Sequence, residues 1–356
     1  MIRIAIDAMG GDFAPQEQVK GCALALERDK DLCLILCGDE TAIKTELAKY
    51  KYDASRVEIV HTTEVIEMND IPTKAVKAKK NSSTVVAFRM VKEGRADGVV
   101  CSGSTGAVLV CGTTMLFRIK GISRPALCPV LPNGKGRKTF LCDCGANLEC
   151  KSVNLRDFAI MATAFAQACY GIEAPTVGLL NNGTEDHKGT LLQQETNAIL
   201  KQTSCVNYAG NVEGRALMSG EVDIVVSDGF TGNIALKAVE GCGKAVGASL
   251  KRDFGKNLFN KLRYLLVKDI IGGIKDSLDH EKVGGAMLLG VPYVVVKGHG
   301  NSKANGFSVC IKQATDAIRG DMVGKIQTMV AKLVEEERAA EEAKKAEEAA
   351  LSEGNE

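Results

Sequence analysis

The chain has 356 residues, 45% hydrophobic and 25% charged, enough to bury a substantial core as one large or two modest domains. A formal net charge of +1 argues against a general nucleic-acid binder with a large basic surface, and no run approaches the roughly eighteen apolar residues of a membrane span. Thirteen cysteines without a CxxC pair or regular spacing form neither a disulfide framework nor a zinc module. They read instead as small buried hydrophobes, which with the lack of a signal-peptide pattern implies a reducing, cytoplasmic setting.

Apolar runs predict strands over residues 2–6, 33–37, 57–60, 98–101, 139–142, 177–180, 206–209, 224–226 and 294–297. Many are continuously apolar rather than alternating, as strands buried on both faces of a parallel sheet tend to be. Helical patterns such as 152–170 and 231–251 separate them. Alternating βα units imply a mostly parallel sheet with helices on both faces. The expected fold is therefore an α/β/α three-layer sandwich with a Rossmann-like sheet and a protruding helical hairpin. No linker rich in Pro, Ser or charge precedes residue 320, so residues 1–334 are expected to form one catalytic unit.

The loops after these strands hold the informative residues. Strand 2–6 runs into Asp7-Ala8-Met9-Gly10-Gly11-Asp12, two glycines between two carboxylates. Such a pair permits positive φ and close approach of backbone N–H groups to a ligand, or forms an ordinary turn. Its position at a strand's C-terminal end, where open α/β sheets place ligands, favours a site. Ser102-Gly103-Ser104-Thr105-Gly106 follows a strand and opens a helix, which aims N–H groups at an anion or makes a simple cap. Asn147, Asn181, Asn211 and Asn233 lie just past strands with glycines beside them, as turn formers or as donors to an oxyanion. Asp228-Gly229-Phe230-Thr231-Gly232-Asn233 combines an acid, a hydroxyl and an amide before a long helix, with capping by Asp228 or Thr231 as the structural alternative. Lys79, Lys80, Lys188 and Arg215 adjoin these loops as candidate phosphate-binding cations.

Familiar catalytic constellations do not emerge. Gly103-Ser104-Thr105-Gly106 falls one residue short of a nucleophile elbow, and His61, His187, His280 and His299 show no metal spacing. A dinucleotide fingerprint does not follow the first strand. Residues 251–275 place Phe254, Leu258, Leu262 and Leu265 on one helical face beside a dense basic flank, with Gly272-Gly273 as the expected break. That segment packs on its own body or a dimer mate, touches anionic membrane, or does both as a hairpin of about residues 240–280. Between Glu335 and Glu356 nine Glu face Arg338, Lys344 and Lys345, predicting that this tail is the solvated, fraying end of a helix that begins near Asp321.

The chain resembles the bacterial phosphate acyltransferases that make acyl phosphate from acyl-acyl carrier protein at the entry to phospholipid synthesis. The resemblance runs from Asp7-Ala8-Met9-Gly10-Gly11-Asp12 through Glu64-Val65-Ile66-Glu67-Met68, Ala78-Lys79-Lys80-Asn81-Ser82-Ser83, Ser104-Thr105-Gly106-Ala107 and Arg118-Ile119-Lys120-Gly121. It continues through Asp143-Cys144-Gly145-Ala146-Asn147, Val177-Gly178-Leu179-Leu180-Asn181, Gly210-Asn211-Val212-Glu213-Gly214-Arg215 and Ser227-Asp228-Gly229-Phe230-Thr231-Gly232-Asn233. The family usually carries His in place of Phe13 and Asn in place of Ser104.

This resemblance implies a fold related to phosphate acetyltransferases and isocitrate dehydrogenases, a cytoplasmic homodimer, and no cofactor or metal. Its implied partners are acyl carrier protein, inorganic phosphate and the downstream glycerol-3-phosphate acyltransferase, with possible peripheral contact with the membrane. Anion-binding loops without a protein nucleophile fit a reaction in which phosphate itself attacks the thioester. Asn147, Lys188, Asp228 and Asn233 are the catalytic candidates. Asp7, Gly10, Gly11, Asp12, Lys80, Ser82, Ser104, Thr105, Gly106, Asn181, Asn211, Arg215, Gly229 and Thr231 are the substrate-binding ones. The competing readings are a coenzyme A-dependent phosphate acetyltransferase, a non-catalytic lipid- or nucleotide-binding module, and a metal- and NAD-dependent dehydrogenase.

Overall fold

Each of the nine predicted apolar runs becomes a strand, but the strands divide between two sheets rather than filling one. The computed structural model describes residues 1–277 and 283–353. One sheet holds β1 (Ile2–Asp7), β2 (Leu32–Gly38), β3 (Val57–His61), β4 (Gly98–Cys101), β5 (Ala126–Cys128), β11 (Ala286–Leu289) and β12 (Val294–Lys297). The other holds β6 (Val130–Pro132), β7 (Lys138–Cys142), β8 (Thr176–Leu180), β9 (Asn207–Val212) and β10 (Ile224–Val226). Their orders are β3-β2-β1-β4-β12-β11-β5 and β6-β7-β10-β8-β9.

The chain steps from one sheet to the other at Pro129, between β5 and β6. The three strands absent from the sequence reading, β5, β6 and β11, are those that pair antiparallel with a neighbour. Pro129 cuts the apolar stretch 126–131 between β5 and β6, and β11 runs on through Gly290-Val291-Pro292 towards β12, so none stands out as a run of its own. All pairings among the other nine are parallel. In the larger sheet the order reverses between β1 and β4, the switch point outside which open α/β sheets bind ligands.

Helices α1 (Gln16–Arg28), α2 (Glu40–Leu47), α3 (Pro72–Ala78), α4 (Ser83–Lys92) and α5 (Thr105–Cys111) connect the larger sheet. The rest are α6 (Ser152–Tyr170), α7 (Leu191–Lys201), α8 (Ala216–Ser219), α9 (Gly229–Gly255), α10 (Leu258–Ser277), α11 (Ala304–Arg319) and α12 (Met322–Glu353). One apolar cluster joins Ile4 and Ile6 of β1 to Phe140, Val177 and Ile224 of the smaller sheet. Helix α6 is buried nearly all round from Leu155 to Ala166, as its apolar stretch from Phe158 to Ala166, broken by Thr163 alone, requires. A second cluster covers the opposite face of the larger sheet, with Ala5, Ile35, Val99 and Val295 against Phe88 of α4.

The hairpin is formed by α9 and α10, and its turn differs from the expected one. Residues 251–275 are not one helix: they span the end of α9, a turn at Lys256-Asn257, and most of α10. Gly272-Gly273 lies inside α10, and the break is made instead where Asn257 Oδ1 accepts from Asn260 N at 2.8 Å. Phe254 and Tyr264 close the turn with ring centroids 5.3 Å apart. The expected tail is docked at its start: Ser204 Oγ donates to Glu336 at 2.8 Å, and Arg156 pairs with Glu337. His280, in the expected hairpin, and residues 354–356 of the tail lie outside the described residues.

Candidate active site

At the end of the larger sheet the β1 loop is held from below and from the side. Asp7 is fully buried; its Oδ2 accepts from Thr84 Oγ1 at 2.6 Å and Cys101 Sγ at 2.9 Å, and its Oδ1 from Met9 N at 3.3 Å. Gly10 leaves no room for a side chain, since a Cβ there would sit 2.6 Å from Asp7 Oδ2 and 2.7 Å from Gly103 N. Gly11 follows with φ +108°, a conformation that L side chains rarely adopt. Gln18 Nε2 donates to Gly10 O at 2.9 Å, and Asp12 N donates to Gly300 O at 2.8 Å. The β1 loop is thereby clamped to the loop leaving β12.

Around this clamp Ser83 Oγ, Ser102 Oγ and Gln18 Oε1 are buried without a hydrogen-bond partner among the described residues. Buried polar atoms left this way mark where a ligand or water completes the network. Ser82 and Ser104 act as helix caps: Ser82 Oγ accepts from Val85 N at 3.4 Å, and Ser104 Oγ from Ala107 N at 3.5 Å. Gly106 serves packing, because a Cβ there would meet the ring of Pro72 and push α5 off α3. Thr105 and Lys80 are exposed. Lys79 is committed elsewhere, donating to Asp70 Oδ2 at 2.6 Å and Val65 O at 2.8 Å.

The smaller sheet builds its site around Asp143, a buried carboxylate that the sequence reading did not single out. Its Oδ1 accepts from Leu127 N at 2.8 Å and Ala146 N at 3.3 Å, and its Oδ2 from Asn147 N at 2.7 Å and Asn147 Nδ2 at 3.0 Å. Burial pushes its carboxyl up to about 6, against the opposing pull of these donors. Asn147 Nδ2 also donates to Pro125 O at 2.8 Å, so this amide braces the loop. A Cβ on Gly229 would lie 2.5 Å from Asp143 Oδ2, and one on Gly232 would collide with the Asp143 carbonyl oxygen. These two glycines let the start of α9 rest on the β7 loop. Asp228 Oδ1 accepts from Thr231 N at 2.8 Å and caps the helix. Asn233, one turn on, lies over Gly145 and accepts a weak bond from Cys144 Sγ at 4.0 Å.

On the next strands, Asn181 Nδ2 donates to Lys188 O at 3.2 Å and Asn211 Nδ2 to Glu185 O at 2.9 Å. These amides hold the loop that carries Lys188, whose side chain is half-buried. Asn211 Oδ1 is buried without a partner among the described residues. Arg215 is exposed and pairs with Glu213 at 3.3 Å. Lys237, one turn beyond Asn233, donates to Glu240 Oε2 at 2.8 Å. Lys237, Asp143, Thr84, Lys297 and the β12 exit loop escaped the sequence reading. The one available signal was Gly298-His299-Gly300-Asn301-Ser302 directly after an apolar strand.

Thiols near these loops are held protonated: burial pushes Cys144 up to about 12 and Cys150 to about 11, and raises Cys101 well above the ordinary range. Among the described residues no group of three or more His, Cys, Asp or Glu is placed to hold a metal ion. No helix among them is long and apolar enough to cross a membrane.

Two sheets with glycine-rich loops at their parallel strand ends define an α/β enzyme of the phosphotransacetylase fold. EutD phosphotransacetylase from Staphylococcus aureus superposes with a TM-score of 0.57 at 16% identity, covering 89% of this chain and 94% of that one. A branched-chain phosphotransacylase from Enterococcus faecalis V583 gives 0.57 at 16% identity, covering 89% and 99%. Residues 2–325 match the family described as fatty acid synthesis protein, and the chain belongs to it. Its relatives named phosphate acyltransferase include one from Clostridioides difficile, 41% identical over 95% of this chain and 98% of the relative. Another, from Streptococcus uberis, is 44% identical over 93% and 98%. The chain is therefore an acyltransferase of the phosphate acyltransferase family.

Proposed function

We propose that the enzyme transfers a long fatty acyl group from acyl carrier protein to inorganic phosphate, releasing acyl phosphate and the free carrier thiol. The observation that carries the long-chain reading is a set of exposed large apolar side chains on the same loops as the candidate polar residues. Phe13 follows the β1 loop, Leu148 follows Asn147, Phe230 and Ile234 lie on the first turns of α9, and Leu191 follows the Lys188 loop; all are exposed. Met68 joins them, its Cε 3.7 Å from where a Gly300 Cβ would sit. Exposed large apolar side chains on the loops that carry the candidate polar residues suit a ligand with an alkyl tail.

In this reading phosphate is the nucleophile, being anionic at neutral pH. One of its oxygens attacks the thioester carbonyl, the tetrahedral oxyanion collapses, and the thiolate leaves with the carrier. The exposed Asn233 amide stabilises the oxyanion, and Lys188 attracts phosphate or the carrier's acidic surface. Asn147 and Asp228 act through the loops they hold. The raised thiols support direct transfer over an acyl-enzyme on cysteine. The tail's roughly sixfold negative charge leaves the rest of the chain about seven positive, complementary to an acidic carrier.

The product reacts with water, so the consuming step belongs close by. We take that step to be a glycerol-3-phosphate acyltransferase and the setting to be glycerophospholipid synthesis. The hairpin fits a homodimer stem whose tip rests on anionic lipid: Phe259, Leu265 and Leu266 are exposed beside Lys256, Arg263 and Lys268. The discriminating experiment measures thiol release from a long-chain acyl-acyl carrier protein and from acetyl-coenzyme A, with and without phosphate. Phosphate-dependent release that strongly prefers the long-chain substrate is expected; preference for acetyl-coenzyme A would point to a phosphate acetyltransferase.

A further inference from the structure

Three strands of the larger sheet end on the same row. Asp7 is the last residue of β1, Cys101 of β4 and Lys297 of β12. Lys297 pairs in register with Cys101, and the β1–β4 register brings Asp7 alongside Cys101, whose thiol donates to Asp7 Oδ2 at 2.9 Å. Residues in register on parallel strands point to one face, so an acid, a thiol and a base form a line under the exit loops. The row faces the apolar cluster under α4 and α5, where Ala5, Val99 and Val295 precede it on the same strands.

Both charged members are buried, Asp7 at 0% exposure and Lys297 at 8%. Neighbouring strands lie about 4.8 Å apart, which puts the two backbones about 10 Å apart across β4. Opposite charges buried at that range still attract each other, in addition to the partners each has on its own loop. Burial lowers the Lys297 ammonium from its usual range, while Cys101, Cys310 and Asp7 act in the opposite sense.

Each charge also fixes a loop. Lys297 Nζ donates to Gly298 O at the start of the β12 loop, whose Gly300 O accepts from Asp12 N at 2.8 Å. Asp7 fixes Met9 N of the β1 loop, Cys101 at the start of the β4 loop, and Thr84 in the first turn of α4. The β1 and β4 loops touch at Gly10 and Gly103, leaving no slack between them.

We propose that Asp7 and Lys297 form one buried charge unit that sets the spacing of the three exit loops of the larger sheet, both acting as positioning residues that do not touch substrate. A charge-free row of the same shape would keep the fold but lose the fixed spacing, whereas a single remaining charge would disturb both.

The test is a cycle of Asp7→Asn, Lys297→Met and the double variant, with melting temperature, kcat and the phosphate KM measured for each. The kinetic arm rests on the phosphate-transfer reading; the melting arm does not. Each single variant is expected to lose about 100-fold in kcat/KM for phosphate, the scale of an ångström-level misplacement. The double variant is expected to recover about tenfold over the worse single one and to melt above it. Thr84→Val, which removes one loop contact and no charge, is expected to lose activity with little change in melting. If Lys297→Met does not fold, a folded double variant supports the unit and an unfolded one overturns it. Additive losses through the cycle overturn the proposal. So does a drop in melting temperature with unchanged kinetics, which would make the pair mere packing. If the wild-type protein shows no phosphate-dependent turnover, the proposed function fails while coupling in melting still decides the charge unit.

Discussion

The two sheets treat their strand ends differently. In the larger sheet Asp7, Lys297 and Ser102 are buried, and the loops above them are tied to one another by Gln18, Asp12 and Gly300. In the smaller sheet Asp143, Asn147, Asn211, Ser227 and Asp228 are buried as well, while Lys188 is half-buried and Thr231 and Arg215 are exposed. Both ends keep exposed groups, Thr105 and Lys80 on the larger sheet and Thr231 and Arg215 on the smaller; they differ in that the larger buries an acid and a base, the smaller acids among amides. A transfer enzyme needs both, a fixed surface to orient the reacting groups and accessible groups to capture a mobile substrate. The difference teaches that burial separates positioning residues from candidate contact residues here better than residue type does.

The sharpest way to break this division is Gly232→Ala. Its methyl would meet the Asp143 carbonyl oxygen, lifting α9 off the β7 loop. A loss of about 3 kcal/mol in stability is expected by denaturant unfolding, with activity lost as well. Next comes Lys188→Ala, which removes one charged hydrogen bond worth about 1.5–3 kcal/mol. The KM for phosphate or for the acyl carrier substrate is expected to rise tenfold or more at unchanged melting temperature, the signature of a contact residue.

Asp143→Asn should behave as a framework change. An amide there turns a donor towards Asn147, and a destabilisation of about 1–3 kcal/mol is expected. The sign of its pH dependence is fixed. Asp143 holds its proton up to about 6 in the folded protein, against about 3.9 in an unfolded chain. Its stabilising contribution is therefore full below about pH 4 and is lost as pH rises through about 6. The melting temperature of the wild type relative to Asp143→Asn should fall across that interval. Arg215→Ala is the smallest change in stability: an exposed pair with Glu213 is worth well under about 1 kcal/mol, so melting should hardly move, and any effect should fall on the KM for the acyl carrier substrate.

Much of the fold was legible because buried parallel strands are written as apolar runs, and α6 begins and ends where the pattern placed it. The division into two sheets was not legible. It depends on Pro129 separating two three-residue strands, and such short pieces carry no periodicity of their own. Candidate loops were marked by Gly, Asn and Ser after strands, yet the same residues make caps, as Ser82, Ser104 and Asp228 do. Sequence marks where such groups lie; only packing says whether a group is spent on the backbone. Thr84 and Lys297 stayed hidden because each lies inside a helix or strand, where a polar residue announces nothing until its neighbours are in place. The hairpin turn was misplaced for a related reason: a Gly-Gly pair is read as a break, but here Lys256-Asn257 makes it.

The central claim is that phosphate attacks the acyl thioester directly within this two-part site. The most direct measurement incubates the enzyme with a long-chain acyl-acyl carrier protein and isotopically labelled phosphate, traps the product with hydroxylamine, and examines the protein by intact mass. The account predicts phosphate-dependent acyl hydroxamate, label in the acyl phosphate before trapping, and an enzyme mass unchanged at every time point. An enzyme carrying an acyl group on cysteine that is then passed to phosphate, or thiol release that proceeds without phosphate, would contradict it.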